Sequence, residues 1–261
     1  MFRFMTIAAL AFVCLLNALH AKPIPTEKKV EAKKAVGFKP IEINGDLNAN
    51  DEKDAKLDAP AKRYTVQLQK DKTYIFDLAS GDFDSYLRLL DKAGAQLAED
   101  DDGGGGGDLN ARIIYSPTKT DDHQIVVTSF DGQAGKFNLR VREFTLSGEA
   151  KPRAIEKDGL TINDQIQPKN TTPLGKLGKT YSVELKAGVT YTIDLESPDV
   201  DSYLYLFDAK SKLLAQDDDS GGDLNSRITF RATQNGVFHI VATSLDGNET
   251  GGFTLKVRKS E

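Results

Sequence analysis

Residues Tyr64 to Asp102 align without a gap on Tyr181 to Asp219, and roughly half of the paired positions are identical. A repeat of that period is far longer than a solenoid unit and has the size of a domain. The chain is therefore confined to folds that can be built twice along it. The likeness continues past the gapless block, where Thr128-Ser129-Phe130-Asp131-Gly132 returns as Thr243-Ser244-Leu245-Asp246-Gly247.

Each copy reads as strands throughout. Tyr64, Val66 and Leu68 alternate with polar residues, as do Tyr74, Phe76 and Leu78. The period of two recurs at Leu87 and Leu89, at Ile113 and Tyr115, at Ile125 and Val127, and at Phe137, Leu139 and Val141. Successive strand side chains point to opposite faces of a sheet, so this spacing places one apolar face inward. Clusters of Gly, Asp, Asn or Lys punctuate the runs, and no later segment keeps helical periodicity for three turns. About 100 residues with six to eight such strands suit one antiparallel sandwich. The sequence thus predicts an all-β chain of two tandem antiparallel β-sandwiches, at 41–143 and 159–261, joined by a linker at 144–158.

The ends carry a different message. Arg3 followed by the uncharged apolar run Ile7 to Leu16 and the small-residue exit Ala18-Leu19-His20-Ala21 predicts a signal peptide over 1–21. The run is shorter than the roughly 20 residues a membrane span requires. Residues 22–40, rich in Lys, Ala, Glu and Pro, predict a disordered linker. The expected location is secreted or periplasmic. Cys14, the only cysteine, leaves with the signal, so the mature chain has no disulfide or thiolate site. Net charge moves from -5 to -6 with loss of Arg3, and the basic residues are scattered. Nucleic acid, which needs a clustered cationic face, is an unsuitable partner.

Asp100-Asp101-Asp102, five glycines and Asp108-Leu109-Asn110-Ala111-Arg112 are echoed by Asp217-Asp218-Asp219-Ser220-Gly221-Gly222-Asp223-Leu224-Asn225-Ser226-Arg227. Calcium takes six to eight oxygens, and carboxylates, Asn carbonyls and the free carbonyls of a glycine turn all qualify. The candidate ligands are Asp84, Asp100, Asp102, Asp108 and Asn110 in the first copy and Asp201, Asp217, Asp219, Asp223 and Asn225 in the second. A solvated acidic turn, in which Asp and Gly only shape the chain, explains the same residues. For Arg112 and Arg227 the simplest expectation is pairing with the neighbouring Asp cluster, with each Asn capping the turn.

Catalytic constellations are not visible. His123 aligns with Phe238 and His239 with Gln124, so neither imidazole belongs to the repeat. The mature sequence has no Gly-x-Ser-x-Gly elbow and no His-Glu-x-x-His. A second strand face carries Tyr86, Arg88 and Leu90 in the first copy and Tyr203, Tyr205 and Phe207 in the second. It is either an exposed aromatic patch for a partner or buried.

Phe83-Asp84-Ser85-Tyr86-Leu87-x-Leu89, Asp91, Leu97-Ala98-x-Asp100-Asp101-Asp102-Gly103, Asn110-x-Arg112-Ile113, Ile125 to Ser129 and Phe137-x-Leu139-x-Val141 together resemble the bacterial pre-peptidase C-terminal (PPC) domain. The second copy repeats the pattern at Val200-Asp201-Ser202-Tyr203-Leu204-x-Leu206, Asp208, Leu214-Ala215, Asp217 to Asp219, Asn225-x-Arg227-Ile228, Ile240 to Ser244 and Phe253-x-Leu255-x-Val257. The resemblance implies a jelly-roll-like sandwich that is non-catalytic, with calcium or an extracellular or envelope protein or polymer as partner. The Glu-Pro-Asn-Asn type stretch of collagen-binding relatives, rich in calcium ligands, is missing at Ile43 to Leu47 and Ile162 to Ile166, so the resemblance implies neither collagen binding nor that particular calcium site here. Two other readings stay open, an extracellular hydrolase of glycans or peptides and a structural envelope module.

Overall fold

In a computed structural model, residues 28–30, 38–104, 109–146 and 151–260 are described. The predicted signal segment, most of the predicted linker at 22–40, and Asp108 lie outside them. The described residues are all-β.

The first sandwich contains β1 (Lys28–Val30), β2 (Ile41–Leu47), β3 (Ala61–Leu68), β4 (Thr73–Ser80), β5 (Ser85–Asp91), β6 (Gln96–Asp100), β7 (Ala111–Tyr115), β8 (Asp121–Ser129) and β9 (Gly135–Phe144). They form a five-stranded sheet, β1-β3-β8-β5-β6, facing a four-stranded one, β2-β9-β4-β7. The second sandwich contains β10 (Arg153–Ala154), β11 (Leu160–Ile166), β12 (Gly178–Leu185), β13 (Thr190–Glu196), β14 (Ser202–Asp208), β15 (Leu213–Asp217), β16 (Ser226–Arg231), β17 (Gly236–Ser244) and β18 (Gly251–Lys259). Its sheets, β10-β12-β17-β14-β15 and β11-β18-β13-β16, repeat the same order.

All pairings are antiparallel except one at the edge of each larger sheet, where β1 runs parallel to β3 and β10 parallel to β12. Both parallel strands fall in segments expected to be linkers. Lys28–Val30 lies inside the predicted spacer, and Arg153–Ala154 inside the predicted inter-sandwich linker. Each covers a sheet edge whose N–H and C=O groups would otherwise lack ladder partners.

The predicted alternation is what fills the cores. Tyr64, Val66, Leu68, Leu87, Leu89, Ile125 and Val127 face Tyr74, Phe76, Leu78, Ile113, Leu139 and Val141 in the first sandwich. Tyr181, Val183, Leu185, Leu204, Leu206 and Ile240 face Tyr191, Ile193, Leu195, Ile228, Leu255 and Val257 in the second. Each large apolar side chain buried this way stabilises by about 1.5–3 kcal/mol. The link from β3 to β4 turns through Asp71 at φ 63°, and the equivalent link from β12 to β13 through Gly188 at φ 80°. That left-handed position is open to Gly at little steric cost and is tolerated by Asp.

The sandwiches also share a third apolar cluster. Ile75 and Phe144, on the outer face of the first four-stranded sheet, pack with Leu174, Tyr205, Phe207 and Val241 of the second sandwich. Leu146, within the predicted linker, joins them. The strand face carrying Tyr203, Tyr205 and Phe207 is therefore an internal interface. The equivalent face of the first sandwich, where Ala61 packs with Leu90 and Val126, is covered by its own 48–60 loop, whose Asp54 lies 2.5 Å from Arg88 and whose Lys56 donates to the Tyr86 hydroxyl at 2.8 Å.

Candidate functional site

The two acidic loops join β6 to β7 and β15 to β16, and both are braced in the same way. Asp100 Oδ2 accepts the backbone N–H groups of Gly103 (2.9 Å) and Arg112 (2.7 Å). Asp217 Oδ2 accepts those of Ser220 (3.0 Å) and Arg227 (2.7 Å). Asn110 Oδ1 receives the N–H of Ser80 at 3.3 Å, and Asn225 Oδ1 that of Ser197 at 3.0 Å. Each loop also closes on itself, with Gly104 N–H donating to Asn110 O and Gly221 N–H to Asn225 O. A methyl group at Gly104 would lie 2.3 Å from that oxygen, and at Gly221 2.5 Å. The loop backbones cross too closely there for a Cβ.

Four of the predicted ligands thus have a side-chain oxygen in use, Asp100 and Asp217 within the loops and Asn110 and Asn225 tying the loops to Ser80 and Ser197. Asp223 sits exposed at the tip of its loop, in a left-handed conformation at φ 54°. Asp84, Asp102, Asp201 and Asp219 belong to a separate acidic group at one end of each sandwich. Burial, then the charges of Asp131, Asp101 and Asp102, hold the Asp84 carboxyl above the usual aspartate range. Burial, then Asp218, Asp246 and Asp219, do the same to Asp201. Asp131 and Asp246, the partners that sequence reasoning missed, lie in the repeated Ser-x-Asp-Gly stretch, which carried that signal. Among the described residues no group of three or more His, Cys, Asp or Glu side chains is placed to hold a metal ion. The oxygen shell of six to eight that calcium requires is not assembled by the side chains described.

The arginines correct an expectation. Their backbone N–H groups reach the Asp of the loop, but among the described residues the guanidinium groups pair outside the acidic cluster. Arg112 stands directly across from Asp77 in the β4–β7 register and pairs with it at 2.5 Å. Arg227 stands across from Asp194 and pairs at the same distance. The pleat turns each Arg side chain onto the sheet face, where the opposite strand supplies a carboxylate. Asp77 and Asp194 recur in the gapless block and were the available signal.

At the seam the loops of the two sandwiches meet. Burial raises the Asp102 carboxyl, Asp101 and Asp246 raise it further, and Lys176 opposes them. Lys176 is itself buried, donating to Leu245 O at 2.7 Å, with its ammonium 5.4 Å from the Tyr203 ring centroid. Desolvation lowers it to about 8. Asp102 of the first sandwich thus feels the charges of Lys176 and Asp246 of the second across the seam. Exposed apolar side chains flank the acidic groups. Leu109 and Phe130 sit beside Asp84, whose carbonyl accepts Phe130 N–H, and Leu224 sits beside Asp201.

His123 is buried, with its ring edge-on to Tyr115 at 5.7 Å, and burial lowers its pKa. It is a core residue of β8.

Sheet order and loop bracing together define a tandem β-sandwich protein with acidic loop ends. Residues 178–244, from the start of β12 to the end of β17, match the model of the bacterial pre-peptidase C-terminal domain. A comparison with curated proteins gives no match. Among solved structures, the chain is similar to PliG of Aeromonas hydrophila, a periplasmic lysozyme inhibitor of g-type lysozyme (10% identity, 44% of this chain and 93% of that one, TM-score 0.31). It is also similar to the CUB1-EGF-CUB2 domain of human MASP-1/3 (11% identity, 84% and 99%, TM-score 0.27). A third likeness is the CBM22-1–CBM22-2 tandem of Paenibacillus barcinonensis Xyn10C (13% identity, 88% and 82%, TM-score 0.22). The all-β architecture rests on the strand pairing itself. No helix among the described residues is long and apolar enough to cross a membrane.

Proposed function

We propose that this is a secreted or periplasmic, non-catalytic binding protein built from two PPC-type sandwiches, the first a diverged copy of the second. The observation that carries the reading is the repeated chemistry of the loop ends. At the same end of each sandwich an acidic group is flanked by exposed Leu or Phe, and the two groups meet at the seam. Such an amphipathic acidic surface suits an extracellular or envelope protein or polymer with cationic and apolar groups.

The test compares wild type with an Asp84→Asn/Asp201→Asn/Phe130→Ser variant in pull-downs from an extracellular or envelope fraction. One saturable partner, lost in the variant, supports the proposal. A wild type that retains nothing saturably is a structural module instead. Turnover of a glycan or peptide, abolished by Asp102→Ala or Asp219→Ala, would replace it with a hydrolase.

Calcium enters the proposal at the Asp84 and Asp201 groups, since Asp100, Asn110, Asp217 and Asn225 already use side-chain oxygens to accept backbone N–H groups. Affinity there falls in the weak extracellular range, about 0.1–1 mM. Millimolar calcium then raises the melting temperature over a chelator control, and superimposable melts remove calcium from the reading.

A further inference from the structure

The Asp–Arg–Arg arrangement on the outer face of the four-stranded sheet occurs twice, and in the first sandwich it is already a docking surface. There Arg112 lies 2.5 Å from Asp77 and Arg142 3.9 Å. Both arginines donate to one backbone oxygen of the other sandwich, Leu174 O, at 3.0 and 3.3 Å. Ile75, Ile114 and Phe144 surround this polar centre and pack on Leu174, Tyr205 and Phe207.

The second sandwich retains the centre and changes the surround. Asp194, 2% exposed, is gripped by Arg227 and Arg258. Ile75, Ile114 and Phe144 are replaced by Thr192, Thr229 and Ser260. These residues, with Lys259 at the rim, line an open cleft of about 550 Å³. The guanidinium side chains are 42% and 53% exposed, against 11% and 34% for Arg112 and Arg142. The face carries Arg227, Arg258 and Lys256 against Asp194 and Glu196, with Lys256 paired to Glu196 at 2.6 Å. It is cationic, bordered by hydroxyls, and lacks the apolar rim that packs the internal interface.

We infer that the outer face of β13, β16 and β18 is a second docking surface, which takes an acidic polypeptide loop of a partner protein. A main-chain carbonyl of that loop occupies the place on Arg227 and Arg258 that Leu174 O occupies on Arg112 and Arg142. A carboxylate beside it meets the surplus positive charge, and the hydroxyl of Thr229, with those of Thr192 and Ser260 that pair with each other at 2.8 Å, serves the flanking peptide groups. A polypeptide is favoured over an anionic saccharide because the same triad in the same molecule already binds a polypeptide turn. The exchange of apolar for hydroxyl side chains fits a reversible partner rather than an obligate one. This surface is separate from the acidic loop ends, so it stands whether or not they bind.

The probe is a blocked peptide, acetyl-Asp-Pro-Leu-Gly-Glu-amide, which copies Pro173-Leu174-Gly175 and adds a carboxylate at each end. It is titrated into the full chain while the arginine Nε–H signals are followed by NMR. Saturable shifts of Arg227 and Arg258 are expected. The dissociation constant should weaken about tenfold in Arg258→Ala, the scale of one charge-assisted hydrogen bond. Arg258→Lys should recover only part of that loss, and the Asn/Gln version of the peptide should bind several-fold more weakly to wild type. An unchanged melting temperature in both variants shows that the loss is not unfolding. Shifts that avoid both arginines, or none, would overturn the inference. Tighter saturation by a sulfated oligosaccharide, or self-association abolished by Arg258→Ala, would overturn its choice of partner.

Discussion

Ser85 and Ser202 occupy the same position in the two sandwiches but differ in their partners. Ser202 Oγ donates to Leu195 O at 3.0 Å, lies 2.8 Å from Ser226 Oγ and accepts Ser226 N–H. In the first copy Ala111 stands where Ser226 does, and the buried Ser85 Oγ has no hydrogen-bond partner among the described residues. A buried hydroxyl without a partner costs about 1–3 kcal/mol. Ser85→Ala should therefore leave stability unchanged or raise it by about 1 kcal/mol, while Ser202→Ala lowers it by about 1–2 kcal/mol. Urea denaturation of both variants checks the contrast, and equal losses would contradict it. Asp100 offers a test in pH. Burial is the main cause that lifts its carboxyl from the ordinary 3.8 to about 6, against the pull of its two backbone donors. Between those values the folded chain holds a proton that the unfolded chain has released, so stability from this group falls as pH rises through that window. Asp100→Asn should stabilise at pH 7.5 by about 1 kcal/mol, discounted for its half-buried position, and the gain should vanish near pH 4. A loss of equal size at both pH values would show that the amide disturbs the backbone bonds instead.

At the scale of the element, the acidic loop is a turn held by its own oxygens. The repeat and its glycines were visible in the sequence, but their individual duties were not. Gly221 leaves no room for a Cβ, because Asn225 O lies 2.5 Å away, whereas Gly222 has open space and a φ of 93°. Gly221→Ala should cost about 2 kcal/mol through a forced backbone shift. Gly222→Ala should cost about 1 kcal/mol through its left-handed backbone alone. Thermal melts of the pair test this order, and a costlier Gly222→Ala would show that conformation outweighs contact. The strands were the most legible elements, since a period of two needs no knowledge of neighbours. The parallel edge strands β1 and β10 were not, because three residues and two residues carry no pattern. Their pairing depends on an open sheet edge elsewhere.

For the whole molecule, the decisive feature is the interface between the sandwiches. Phe207 is fully buried there, its ring centroid 5.3 Å from that of Phe144 and 6.1 Å from that of Tyr205. Thr73 and Leu146 tie the same seam to the other sandwich through Ser211 O and Oγ, at 2.6 and 2.7 Å. Phe207→Ala should destabilise by about 3–5 kcal/mol and split a single calorimetric transition into two, because the lost packing is what couples the halves. One transition of unchanged width would show that coupling runs through the polar contacts alone. The sequence by itself determined the duplication, the all-β class, the inward face of almost every strand and the residues that shape the acidic turns. All of these follow from local periodicity and from residue chemistry acting over a few positions. Only the tertiary structure decided that Tyr203, Tyr205 and Phe207 face the other sandwich. It alone showed that Arg112 answers Asp77 rather than the acidic loop, and that the same triad is closed in one copy and open in the other. Those outcomes depend on which distant surface comes to lie against a strand face, and that is settled when the sheets pack.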